Sequence, residues 1–156
     1  MQAVRDRIKN HEFFAGMKPE HIALVAQGAG EVAFQKGEMI FRTDEPASRF
    51  FLIESGSIAL EAHEPGDGTC SVQTLKTGDV LGWSWLFPPF VWHFQARALE
   101  PVRAIMLDGA HMLVTAERDR DFGYELMKRV THVLIQRLQT TRKQLILRER
   151  KSGAPN

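Results

Sequence analysis

A chain of 156 residues is long enough for one folded domain with its own core, and its single cysteine, Cys70, has no partner for an internal disulfide. The hydrophobic fraction of 44% and the charged fraction of 25% are ordinary for a water-soluble globular protein, and the formal net charge of +1 excludes bulk attraction to nucleic acid or to an anionic membrane. The longest apolar run, residues 85–92, contains two prolines and is too short to span a bilayer. We therefore expect a cytoplasmic protein with one domain over residues 1–150 and a tail over residues 151–156.

The first two thirds of the chain predict helices followed by a set of short strands. Residues 1–29 are expected to be helical, since Pro19 suits the first turn of a helix and apolar residues follow it. Between residues 30 and 108 the pattern changes to short apolar runs separated by turn residues. The strand candidates are residues 32–34, 39–41, 50–53, 58–60, 72–75, 94–96 and 102–107. Strands of this length and spacing predict an antiparallel sandwich or barrel.

Residues 109–150 are expected to be helical and to include one long helix, because no glycine or proline interrupts residues 124–151. Within it a heptad pattern of alternating four-residue and three-residue spacings is formed by Met127, Thr131, Leu134, Leu138, Thr141 and Leu145. The first turns are expected to pack on the chain's own barrel. At about 1.5 Å per residue the rest of the helix extends beyond so small a barrel. We therefore predict a homodimer, with a seam formed by Leu134, Leu138, Thr141 and Leu145.

Five short segments, taken in chain order, match the motifs of a known family. They are residues 36–41 (Lys-Gly-Glu-Met-Ile-Phe), 45–53, 55–60 (Ser-Gly-Ser-Ile-Ala-Leu), 75–82 (Leu-Lys-Thr-Gly-Asp-Val-Leu-Gly) and 137–141 (Arg-Leu-Gln-Thr-Thr). Together they resemble the cyclic-nucleotide-binding domain of the Crp/Fnr regulators and of cyclic-nucleotide-dependent kinases and channels. The resemblance implies a mainly β fold, an antiparallel β jelly roll with flanking helices and a long C-terminal dimerisation helix. Where the family usually has glycine in a turn, this chain has Asp44, which also tolerates a positive φ.

The segment 82–94 resembles the family's phosphate-binding cassette but lacks both of its charged ligands. In the family, backbone N–H groups and an arginine bind the cyclic phosphate, and a glutamate nine residues before that arginine accepts a hydrogen bond from the ribose 2′-hydroxyl. Here Trp83 stands in place of the glutamate and Trp92 in place of the arginine. We therefore expect cyclic AMP and cyclic GMP to bind weakly or not at all.

The resemblance also implies which residues surround the ligand pocket. The cassette side of the pocket is expected to consist of Gly82, Trp83, Ser84, Trp85, Leu86, Trp92 and Phe94. The C-terminal helix is expected to cover the pocket with Thr141 and Arg142. Strand alternation places Phe94 and Ala96 on the same inward face as Trp92. Arg97 then points the other way, so no basic side chain is expected where the family's arginine reaches. Three interpretations stay open: a pocket filled by the indoles, a different and largely apolar or aromatic ligand, and a cyclic nucleotide bound in an unusual way.

No catalytic or metal-binding motif is found in the sequence. None of the six histidines has a metal-ligand spacing to another histidine, to Cys70 or to a carboxylate, and there is no Ser-His-Asp or P-loop pattern. Only six residues follow Arg150, so a helix-turn-helix and specific DNA binding by this chain alone are not expected. The sequence predicts a non-enzymatic sensor that signals through its C-terminal helix to a partner protein. Its ligand would be a cyclic nucleotide or another small molecule.

Overall fold

In a computed structural model that describes residues 2–64, 68–86 and 90–152, the chain forms two four-stranded sheets with helices at both ends. The helices of this part of the chain are α1 (Gln2–Asn10), α2 (Pro19–Ala26), α3 (Gly109–Arg118) and α4 (Arg120–Ser152). The strands are β1 (Gly30–Phe34), β2 (Met39–Phe41), β3 (Arg49–Ser55), β4 (Ile58–Glu64), β5 (Gly68–Leu75), β6 (Val80–Leu81), β7 (Gln95–Ala98) and β8 (Val102–Asp108). Short 3-10 turns are formed by Glu12–Phe14 and Ser84–Leu86.

The strand order within the sheets is that of a jelly roll. One sheet has the order β1-β8-β3-β6 and the other β2-β7-β4-β5, and the strand pairs are antiparallel. Apart from the β4–β5 hairpin, consecutive strands alternate between the two sheets, which brings distant parts of the chain together around one core. The predicted mainly β fold, an antiparallel jelly roll with flanking helices, is confirmed. Strand β6 was not predicted, because two apolar residues show no periodicity.

The core extends from the sheets to the helices that flank them. Strand β3 is buried over four consecutive residues, from Phe50 to Ile53, since one of its faces meets the other sheet and the opposite face meets the helical layer. The Phe50 ring contacts Phe13 of the first 3-10 turn, with ring centroids 5.2 Å apart. Asp44 has a φ of 71°, so the predicted turn with a positive φ is confirmed.

Helix α4 packs on the barrel through its first half. Its N-cap is Asp119, whose Oδ1 accepts a hydrogen bond from the backbone N–H of Phe122 at 3.1 Å. Phe122, Leu126 and Val130, each four residues from the next, are at most 1% exposed. Arg129 Nη1 ties this half of the helix to the N-terminal segment by donating to the carbonyl oxygen of Phe13 at 2.7 Å.

The second half of α4 extends beyond the barrel. All side chains from residue 141 to residue 151 are exposed. The helix ends at Ser152, two residues later than predicted, and residues 153–156 of the predicted tail lie outside the described residues. None of the described helices is both long enough and apolar enough to cross a membrane.

Candidate functional site

A cavity of about 270 Å³ lies between the cassette segment, the β2-β7-β4-β5 sheet and helix α4. The structure brings together most of the predicted pocket residues around it, together with the first part of the predicted seam. These are Gly82, Trp83, Ser84, Trp92, Phe94, Leu134, Leu138 and Thr141. A larger groove of about 1240 Å³ runs along α4 between Glu12 and Gln144, but no cassette residue lines it. We therefore take the smaller cavity as the candidate site.

Trp92 is a buried wall of this cavity. Its side chain is 3% exposed, and its ring stacks on Phe41 with centroids 3.9 Å apart and an interplanar angle of 10°. Backbone hydrogen bonds fix the residue on both sides: its N–H donates to the Glu45 carbonyl at 3.0 Å, and its carbonyl accepts from the Asp44 N–H at 2.8 Å. A flat aromatic surface therefore stands at the cassette position where the family has an arginine.

Gly82 is required by the ring of Trp92. The glycine has a φ of 91°, and a Cβ added to it would lie 2.8 Å from Cη2 of Trp92 and 2.9 Å from the carbonyl oxygen of Arg49. Any larger residue would collide with both. The space that faces the Gly82 backbone is therefore occupied in this chain by the edge of the Trp92 indole.

Helix α4 supplies a basic residue that was not expected in the cavity. The guanidinium carbon of Arg137 lies 4.2 Å above the ring centroid of Trp83, and Arg137 Nη2 donates a hydrogen bond to the carbonyl of Val80. Burial lowers the pKa of Arg137 to about 10, an effect that the charge of Asp79 opposes. The expectation concerned the cassette position that Trp92 holds, and the basic residue expected near the pocket was Arg142. The structure instead places Arg137 of the same helix in the cavity lining, against Trp83.

The spacing along α4 contained a signal for Arg137. Residues three and four apart share one face of a helix. Arg137 follows Leu134 by three residues and precedes Thr141 by four, and all three line the cavity.

Trp85 lies outside the cavity, which corrects its predicted place in the pocket. It is 2% exposed and packs against α3, where a Cβ on Gly109 would lie 2.6 Å from its Cγ. Its ring centroid lies 5.7 Å from that of Phe50. A 3-10 turn rotates by about a third of a circle per residue. Ser84 and Trp85 therefore point in different directions, and only Ser84 lines the cavity.

Three other predicted residues also differ from expectation. Leu86 packs on the core, and Arg142 is exposed and outside the cavity because it follows Thr141 by about 100° around the helix. Phe94 lines the cavity but is 40% exposed rather than inward, because strand β7 begins at Gln95 and the alternation does not reach it. Leu145, which was predicted for the seam and not for the pocket, lies beyond the cavity and is 59% exposed in the single chain.

Arg97 lies away from the cavity, as the alternation predicts. Its Nε lies 3.3 Å from Oε1 of Glu61, and Gln95 donates to the same oxygen at 2.9 Å. Arg97 is thus engaged in a network on the outer side of β7. In the part of the chain that the structure describes, no group of three or more His, Cys, Asp or Glu residues could hold a metal ion.

The chain belongs to the cyclic nucleotide-binding domain family: residues 31–119, more than half of its length, match the family model. A CRP-like cAMP-activated global transcriptional regulator of Mycobacterium tuberculosis is 29% identical over 133 residues, which cover 85% of this chain and 57% of that protein. This chain therefore spans little more than half the length of that curated relative.

Two further similarities concern an enzyme and a solved structure. The acetyltransferase Pat of Mycolicibacterium smegmatis is 31% identical over 71 residues, which cover 46% of this chain and 21% of that protein. A Geobacter metallireducens protein described as cyclic nucleotide-binding has a solved structure that matches with a TM-score of 0.78 and 27% identity. The match covers 86% of this chain and 97% of that one.

Proposed function

We propose that this chain is a non-enzymatic, cytoplasmic regulatory module, one domain over residues 1–150, that senses a small ligand other than cyclic AMP or cyclic GMP. The observation that carries the proposal is the burial of Trp92 at the position of the family's phosphate arginine, with a cavity left beside it. A buried indole cannot donate the two-pronged hydrogen bond that a guanidinium makes to a phosphate. The cavity favours a different ligand over a pocket that is merely filled.

The loss of the two charged cassette residues sets the size of the expected effect on nucleotide binding. A hydrogen bond to a charged group contributes about 1.5–3 kcal/mol. Without the glutamate and the arginine, replaced here by Trp83 and Trp92, a cyclic nucleotide binds about two to four powers of ten more weakly.

Signalling through α4 is supported by the place of that helix in the cavity. Leu134, Arg137, Leu138 and Thr141 line the cavity, and three of them belong to the predicted dimer seam. A ligand in the cavity therefore touches the helix face that we propose forms the homodimer. Any ligand that binds one position of α4 more tightly than another shifts the population towards that position. A partner protein that binds one position of α4 more tightly than the other would respond to this shift.

A filled pocket that leaves only a protein-interaction domain is the second candidate. It is favoured by the stacking of Trp92 on Phe41 and of Arg137 on Trp83, which occupy space around the cassette. In that case no small molecule would stabilise the protein in a thermal-shift screen, whereas a sensor is stabilised by its ligand in proportion to the logarithm of ligand concentration.

Calorimetric titration with cyclic AMP and cyclic GMP tests the proposed function. We expect dissociation constants weaker than about 10 μM for both nucleotides, because the two charge-assisted contacts are absent. The control is circular dichroism of the same sample, which must show the mainly β fold. A sub-micromolar constant for either nucleotide would contradict the proposal.

A further inference from the structure

Arg137 has unused hydrogen-bonding capacity inside the candidate cavity. A guanidinium carries five N–H donors. One hydrogen bond of Arg137, to the carbonyl of Val80, is found among the described residues, and no carboxylate there lies within salt-bridge distance of it. The side chain stays protonated at neutral pH, with a pKa of about 10. A half-buried positive charge that has only a neutral acceptor leaves room for an anion.

The cavity side of Arg137 is aromatic, and the charge of Asp79, which acts on Arg137, lies outside the cavity lining. Among the described residues that line the cavity there is no aspartate or glutamate, and Trp83, Trp92 and Phe94 provide aromatic surface. Phe94 is 40% exposed at the rim, so a ligand seated there would cover it. The hydroxyl of Ser84 adds one neutral hydrogen-bonding group.

The cavity is small. Sites for drug-sized ligands measure about 300–1,000 Å³, and this one has about 270 Å³. That volume holds one or two fused rings with a single short substituent.

We infer that the cavity binds a small planar aromatic acid, whose carboxylate pairs with Arg137 and whose ring lies against Trp92 and Phe94. This inference rests on the proposed function, since it names the ligand class of the same cavity. The carboxylate accepts two N–H donors from the guanidinium, while the guanidinium keeps its stack on Trp83. The charge that anchors the ligand thus comes from the signalling helix and not from the cassette.

Matched pairs of aromatic acids and amides test this inference with the full chain. Benzoate, 2-naphthoate and indole-3-carboxylate are titrated by calorimetry at pH 7 beside benzamide, 2-naphthamide and indole-3-carboxamide. At least one acid is expected to bind about 10–100-fold more tightly than its amide, because the amide has the same shape without the charge.

The Arg137→Met variant should bind that acid about 10–100-fold more weakly and its amide unchanged within about threefold. The Arg142→Met variant is the matched control, since Arg142 is exposed on the same helix outside the cavity. It should bind both ligands as the wild type does. Unchanged amide binding shows that the Arg137→Met cavity is intact, and the comparison of acid with amide in the wild type needs no variant to fold.

Three results would overturn the inference: no acid binds up to millimolar concentration, every acid binds no better than its amide, or Arg137→Met and Arg142→Met behave alike. Tight amide binding with no preference for the acid would leave the proposed sensor in place and remove only the role of Arg137. Sub-micromolar binding of cyclic AMP in the same calorimeter would instead remove the proposed function itself.

Discussion

The Leu145→Glu variant is expected to be a monomer at concentrations where the wild type is a dimer. Leu145 belongs to the heptad seam, is 59% exposed in the single chain and does not line the candidate cavity. In a dimer its two copies would face each other, and a buried unpaired charge costs about 3–5 kcal/mol. The dimer should therefore weaken more than about 100-fold. Light scattering coupled to size exclusion measures the mass directly.

Ile146→Glu is the matched control for this change. Ile146 is 51% exposed and next in sequence, but it lies about 100° around the helix from the seam. This variant should remain a dimer. Leu138→Glu should dissociate the dimer and also alter the cavity, because Leu138 lies in both. A monomeric wild type, or a Leu145→Glu protein that keeps the dimer mass, would show that the seam is wrong.

The Trp92→Ala variant should lose about 3–5 kcal/mol of unfolding free energy, the usual cost of removing a buried aromatic side chain. The change deletes the stack on Phe41 and leaves an empty volume beside Gly82. For a chain of this length the midpoint of thermal unfolding should fall by roughly 6–20 °C. Calorimetric melting gives both quantities.

Trp83→Ala serves as the comparison for Trp92→Ala. Trp83 is half-buried and stacks on Arg137, so its loss removes a cation–π contact of about 0.5–2 kcal/mol and less buried area. Its melting midpoint should fall clearly less than that of Trp92→Ala. If the two variants melted at the same temperature, Trp92 would not be the structural wall that we describe.

The fold could be predicted from the sequence because its signals are local and repeated. Short apolar runs between turn residues predicted most of the strands. The turn at Asp44 has the positive φ that its residue type allows. The absence of glycine and proline from residues 124–151 predicted the long helix. Strand β6 was missed because two residues carry no period of their own.

The candidate site was less predictable, because its side-chain directions depend on tertiary packing. Alternation along β7 places Ala96 inside and Arg97 outside, but it does not extend to Phe94, which precedes the strand. Trp85 was predicted to line the pocket because it lies within the cassette segment. The 3-10 turn instead directs its side chain into the core. Arg137 reaches the cavity from another element, so no reasoning confined to the cassette could find it.

The fluorescence of Trp92 alone tests the central claim, that an indole occupies the place of the phosphate arginine. In a Trp83→Phe/Trp85→Phe protein, Trp92 is the single tryptophan left among the three in the sequence. Its side chain is 3% exposed. We predict blue-shifted emission, quenching by acrylamide far below that of the denatured protein, and no change on adding about 1 μM cyclic AMP, a concentration at which a constant weaker than about 10 μM leaves less than about a tenth of the protein occupied. Emission that is quenched as readily as in the denatured protein, or that changes when cyclic AMP is added, would contradict the account.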